Sequence, residues 1–163
     1  HRKFMTPLSK NDYEAIDEAM ECMKITELAD RSIDELSGGQ KQRVFIALAL
    51  AQQTDILFLD EPTTYLDIAY QIEILDLLKK LNRTKGTTIV MVLHDINLST
   101  KYADYIFAMK NGHLIMEGRP DDVITTESIK QIYGINSLVI PDPLSNSPLV
   151  IPISSHDEQV DAS

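Results

Sequence analysis

The stretch LSGGQKQRVFIALALAQQTDILFLDEP, Leu36 to Pro62, decides how this chain is read. Its first part has a serine, two glycines, a glutamine and then apolar residues without a break from Val44 to Ala51. That pattern predicts a buried helix opened by Ser37 and running to about residue 52. Its second part, DILFLD, is a short apolar run closed by Asp60, Glu61 and Pro62. Such a run predicts a strand buried on both faces. The glycines are the puzzle, because each weakens a helix by about 1 kcal/mol relative to alanine.

One account of them is a capping box, in which Ser37 caps the helix and Gln40 reaches back. It explains the serine and the glutamine and leaves the glycines over. The other account is a phosphate site. Residues without Cβ let backbone N–H groups approach a bulky partner, and a helix N-terminus favours an anion. On these five residues the two accounts balance.

Outward from this stretch, Ser9 can cap a helix over residues 10–24, with Tyr13, Ile16, Met20 and Met23 at helical spacing. A short helical turn follows near 26–30. From Leu66 to about Leu81 the pattern is helical again, with Ile68, Ile72, Leu75 and Leu78 on one face, and Gly86 ends that region. TTIVMVL, Thr87 to Leu93, predicts a second buried strand, and Asn97 to Ala103 a short helix. YIFAMKNGHLIME predicts a hairpin, because Asn111-Gly112 is the preferred two-residue turn. A helix over about 126–133 precedes a second small hairpin in SLVIPDPLSNSPLVIPI, and the polar end SSHDEQVDAS predicts disorder.

Strand, helix, strand, helix, then antiparallel strands is an α/β layered order. Two parallel strands do not complete such a sheet, and residue 1 is not Met, so the chain is expected to begin inside a longer protein. The organisation expected is a helical part over 1–53, a sheet-bearing part over 54–134, a hairpin extension over 135–153 and a tail over 154–163.

The composition narrows the classes. The chain has 163 residues, 44% of them apolar, and a net charge of −10. That charge argues against a nucleic-acid surface, which would show a basic stripe. Cys22 is the only cysteine, so there is no disulfide framework. No apolar run approaches the roughly 20 residues of a membrane span, and the first residues have no apolar core of a signal peptide.

Chemistry concentrates after the first strand. Ligands of open α/β sheets bind outside the carboxyl ends of the strands, where Asp60 and Glu61 stand. Asp60 suits Mg²⁺, which prefers carboxylates plus waters, and Glu61 suits orienting or deprotonating a water. His94 closes the second apolar run, and its place raises it above an ordinary loop histidine.

LSGGQ, ILFLDEP, TTYLD and VLHD, in that order, resemble the signature motif, Walker B motif, D-loop and switch histidine of ABC transporter ATP-binding subunits. The resemblance covers about Pro7 to Gly134 and the final hairpin. TTYLDIAYQIEILDLL and IPDPLSNSPLVIP look most like the ATPases of ferric-siderophore and related iron-complex importers. The fold implied is a partial ABC-type P-loop NTPase: the helical subdomain plus the C-terminal part of the core sheet, without the N-terminal Walker A half. In the family two subunits pair head to tail around two ATP molecules, on the cytoplasmic face of the membrane, beneath transmembrane permease subunits. The resemblance implies that Ser37, Gly38 and Gly39 face the γ-phosphate held by the second ATP-binding subunit and that Gln40 supports that turn. Asp60 would position Mg²⁺ through water, Glu61 would be the general base, Asp67 would reach across the dimer, and His94 would contact the γ-phosphate.

One departure matters. None of the six glycines is followed by lysine, so the G-x-x-x-x-G-K-[ST] loop is absent from this chain. The adenine-stacking aromatic and the glutamine loop of the family are not found either. The chain keeps the parts that act on a partner's ATP and is expected to be inactive alone. Its strands are expected to leave apolar surface open, so self-association through the sheet is expected. Two other classes remain: a DNA-maintenance ATPase head, which would show long heptads before the signature, and a non-catalytic half-subunit acting as a regulator.

Overall fold

The computed structural model describes residues 7–154. The expectations for the first six residues and for 155–163 fall outside the described residues, while Ser154 is exposed. The chain divides into two compact units, residues 1–92 and 93–163.

In the first unit, α1 spans Lys10–Cys22 and is opened by a Ser9–Asp12 capping box. Its buried stripe is Ala15 and Ala19, continued by Met23 beyond its end, while Tyr13 is exposed. Two single 3₁₀ turns, Thr26–Leu28 and Ile33–Glu35, lead to α2, Gly38–Leu50. The second of these turns has no apolar periodicity and was not expected. β1, Ile56–Leu59, pairs in parallel with β2, Thr88–Met91, across α3, Ile68–Lys85. Gly86 ends α3 at φ 71°, the left-handed conformation that glycine adopts at low cost. Ile74, Leu75, Leu77, Leu78 and Leu81 form the buried face of α3. Ile68, expected on that face, is exposed because it opens the helix ahead of these residues.

The core of this unit gathers Met23, Ile25, Ile46, Leu57, Ile74 and Leu78 into one cluster. It corrects two expectations. α2 is not buried all round, since Phe45 and Leu48 are exposed. β1 and β2 are not buried on both faces. Leu57 is buried and Leu59, Ile89 and Met91 pack against the cluster, whereas Ile56, Phe58, Val90 and Val92 face solvent. The reason is the period of two along a strand: one face of the two-stranded sheet lies on the helices, and the alternate residues have no such cover.

The second unit begins with Leu93. It holds α4 (Ile96–Tyr102), β3 (Ile106–Lys110), β4 (His113–Gly118), α5 (Pro120–Val123), α6 (Thr126–Tyr133), β5 (Ser137–Pro141) and β6 (Pro148–Pro152). β3 and β4 form the expected hairpin, with Asn111 at φ 52° and Gly112 at φ 77°, the positive values that a type I′ turn needs. β5 and β6 form the second hairpin, whose loop is held by Asp142 accepting the N–H groups of Leu144 and Ser145, each at 2.8 Å. Val123, Ile124, Ile129 and Val150 make its core. Asn97 of α4 clamps β6 at one residue: its Nδ2 donates to the Val150 carbonyl at 3.1 Å, and its Oδ1 accepts from the Val150 N–H at 2.8 Å.

Candidate functional site

At the start of α2 the capping box is formed as read. Ser37 Oγ accepts from the Gln40 N–H at 3.3 Å, and Gln40 Oε1 accepts from the Ser37 N–H at 3.0 Å. These bonds satisfy two groups and leave the remaining first-turn N–H groups to point off the helix end. No acidic side chain occupies that first turn. The two glycines have different surroundings. A Cβ on Gly38 would meet nothing within 4 Å, while a Cβ on Gly39 would stand 3.2 Å from Cδ1 of Tyr70. An internal packing contact therefore accounts for Gly39. Nothing inside the described chain accounts for Gly38.

Further along α2, Arg43 forms an ion pair with Glu73 of α3. The Arg43 Nε is buried without a hydrogen-bond partner. α2 is thus seated on α3 by a ring at one point and an ion pair one turn further on.

Asp60 and Glu61 follow β1 at its C-terminal end, and Asp60 is exposed. Glu61 takes φ +48° and Tyr65 takes φ +64°, both rare for residues with a side chain. Positions of this kind cost on the order of 1–3 kcal/mol each and cluster at functional sites. Thr64 Oγ1 donates to Glu61 Oε2 at 2.9 Å and fixes one carboxylate oxygen. Leu66 is held from behind by Gln71 Nε2, which donates to its carbonyl at 2.8 Å. Asp67 then caps α3, accepting the Tyr70 N–H at 3.1 Å. Gly39 and Asp67 meet on the same residue, Tyr70.

His94 lies in the second unit, exposed, on the turn before α4. Its neighbour Asp95 caps α4, accepting the Leu98 N–H at 2.9 Å. Burial, with the Asp95 charge as a lesser cause, pushes the Tyr133 hydroxyl of this unit above its ordinary value.

Among the described residues no group of three or more His, Cys, Asp or Glu is arranged to hold a metal. A single exposed carboxylate such as Asp60 fits Mg²⁺ only as an ion that keeps waters and phosphate oxygens in its shell. The donor set thus suits a metal delivered with a nucleotide and not a bare ion. The uncrowded backbone at Gly38 suits the close approach of a phosphate oxygen, whereas the chain contains nothing of the lysine-bearing loop for the other phosphates.

Two residues of this site were not legible beforehand. Thr64 stands three residues after Glu61, and Tyr70 three residues after Asp67, each within reach of a turn or a first helical turn. The spacing was visible in the sequence; which atoms it joins was not.

Comparison with known proteins bears directly on this arrangement. The ABC transporter family profile matches residues 2–64. The ferric enterobactin transport ATP-binding protein FepC of Escherichia coli (strain K12) is 48% identical over 153 residues, 94% of this chain and 56% of that protein. The "Probable siderophore transport system ATP-binding protein YusV" of Bacillus subtilis (strain 168) is 49% identical over 152 residues, 93% of this chain and 55% of that protein. Over these residues the chain is similar to the ATP-binding subunits of ABC transporters.

The fold agrees with this similarity. A "putative metal-chelate type ABC transporter" solved in an inward-facing conformation superposes with a TM-score of 0.84 at 26% identity, covering 94% of this chain and 62% of that one. A dimeric bacterial ABC transporter cassette superposes with a TM-score of 0.56 at 39% identity, covering 72% of this chain and 51% of that one. The chain spans about half the length of the curated relatives it matches, 56% and 55% for the two named. Among its described residues no helix is long and apolar enough to cross a membrane.

Proposed function

We propose that the protein carrying this chain is the ATP-hydrolysing subunit of an importer for iron–siderophore complexes. The observation that carries the reading is the signature turn: capped on its own side, open at Gly38, and followed in order by Asp60-Glu61, Asp67 and His94. The names of relatives at 48% and 49% identity support the cargo class. The dimeric cassette supports a pair of ATP-binding subunits, and their head-to-tail order follows from the motif resemblance. Permease subunits and a place at the cytoplasmic face of the membrane follow from the same reading.

Mg-ATP supplies the phosphoryl group and its charge; this chain's residues position and polarise. Ser37, Gly38 and Gly39 turn their backbone toward the γ-phosphate held by the second subunit, and Gln40 keeps that turn in shape. Asp60 would hold Mg²⁺ through water, and the ion would supply positive charge at the phosphates. Glu61, with one oxygen held by Thr64, accepts the proton of the attacking water. Asp67 faces the partner's site, and His94 donates to the γ-phosphate. Catalysis here is positioning and charge stabilisation, with little covalent chemistry for the protein to perform.

The test is Glu61→Gln in the intact subunit. The amide cannot accept the proton, so ATP binding persists, hydrolysis stops and ATP-bound dimers accumulate on a sizing column. Continued hydrolysis with monomers only would show that Glu61 is not the base.

A further inference from the structure

We propose that Tyr70 is a positioning residue that ties the loop carrying Asp67 to the signature turn, so that a movement of one is passed to the other. The functional weight of this link rests on the phosphate-facing reading of that turn; the link itself rests on geometry. Tyr70 belongs to the first turn of α3, and its N–H is held by Asp67 Oδ1 at 3.1 Å. Its ring lies across Gly39, where a Cβ would be 3.2 Å from Cδ1 and 3.4 Å from Cγ. Carbon atoms pack best at about 3.5–4.0 Å, so only a residue without Cβ lets the ring lie this close unstrained. One residue thus contacts the D-loop acid with its backbone and the signature turn with its side chain.

The rest of the α2–α3 seam does not duplicate this contact. Gly39 and Arg43 are four apart on α2, and Tyr70 and Glu73 are three apart on α3, so the ring and the ion pair are successive rungs. The second rung leaves Arg43 Nε unsatisfied. Below it the seam is apolar, with Ile46 and Ala47 in the same cluster as Ile74 and Leu77. At Gly39 the first turn of α2 thus meets α3 through the Tyr70 ring. An aromatic ring has two side-chain torsions and transmits a displacement with little give. Where a turn must present amides to a phosphate, a misplacement of about 1 Å costs on the order of 10²-fold in rate.

Hydrogen exchange by mass spectrometry on the full chain tests the link. Asp67→Ala is expected to speed exchange in peptides over 37–45 about tenfold, and to add nothing when Tyr70→Leu is already present. Tyr70→Phe, which keeps the ring, is expected to match the parent. Gly39→Ala asks the question in reverse: it is expected to speed exchange over 63–70, and to lose that effect beside Tyr70→Leu. Unchanged exchange over 126–152, in the other unit, separates local loosening from unfolding. Equal increments from Asp67→Ala with and without the ring, or no response at 37–45, would overturn the link. A second arm measures Mg-ATP turnover by the intact subunit in its assembled transporter, where Tyr70→Leu is expected to lower kcat about tenfold and Tyr70→Phe to leave it. Coupled exchange with unaffected turnover would uphold the link and sink the phosphate-facing reading. Lowered turnover with uncoupled exchange would do the opposite.

Discussion

Gly38→Ala separates the two accounts of the signature glycines, because it moves stability and function in opposite directions. A Cβ at position 38 meets nothing within 4 Å, and the residue does not need a positive φ. Replacing glycine by alanine in a helix gains up to about 1 kcal/mol, and less in the first turn. For a chain of this length that is a rise of about 2–4 °C at most in the unfolding midpoint. If the open amide serves a phosphate in the partner subunit, the added methyl holds that phosphate off. Losing one preorganised donor of this kind costs about 10²–10³-fold in kcat. The expected result is a variant as stable as the parent, or slightly more so, with turnover reduced at least a hundredfold in the assembled transporter. Thermal unfolding and phosphate release measure the two effects separately. Turnover within a few-fold of the parent would refute the close-approach argument and leave only the capping box. Gly39→Ala provides the contrast: its Cβ presses on the Tyr70 ring at 3.2 Å, so the propensity gain is cancelled and stability is unchanged or falls by up to about 1 kcal/mol.

Three further outcomes are expected. The chain alone, without a phosphate-loop lysine, releases phosphate from saturating Mg-ATP at a negligible rate; turnover near that of ordinary ABC ATPases, abolished by Glu61→Gln, would contradict this. The chain self-associates through the open face of β1 and β2, since unpaired strand edges and contiguous apolar patches seek cover. Phe58 is 72% exposed there, so Phe58→Lys should shift light scattering toward monomer at every concentration, with or without Mg-ATP; a parent that is already monomeric would contradict it. Hydrogen bonds from the Ser145 and Leu144 backbone hold the Asp142 carboxyl below its ordinary 3.8, so its contribution to the β5–β6 loop is full above that value and is lost as pH falls through the lower, folded one. A fall on acidification in the protection of the Leu144 and Ser145 amides, taken relative to the intrinsic exchange rate at each pH and absent in Asp142→Ala, checks the sign.

Local signals in this sequence were strong where the chemistry of one or two residues fixes the backbone. Ser37 with Gln40, Gly86 and Asn111-Gly112 each produced the cap, the helix end or the turn that their side chains dictate. Periodicity located α3 but misjudged its first turn, because it reports which residues can share a face and not where the core ends; Ile68 has the right spacing and lies ahead of the cluster. An unbroken apolar strand announces cover on both faces without saying which atoms supply it, hence the exposed Phe58 and Val90. At the site, the acids and glycines were visible because their types are unusual in their places. Tyr70 was not, because an aromatic at a helix start has many ordinary reasons to be there, and its contact with Gly39 joins positions 31 residues apart, counting from 39 to 70.

The clamp of Asn97 on Val150 sets the order in which this polypeptide can finish folding as it is made. The two residues are 53 positions apart, and the N–H and the C=O of Val150 both bond to the Asn97 side chain. Val150 also belongs to the core of the second unit, so that core stays incomplete until nearly all the described chain has been synthesised. Translation at about 5–20 residues per second then leaves α4 and the β3–β4 hairpin waiting for several seconds before β6 arrives. The first unit has no such delay, because β2, its last strand, ends at Met91. Growth of the chain thus separates two events that chemical refolding would start together, and pausing of the ribosome before residue 150 would lengthen the interval in which the second unit depends on other proteins for protection.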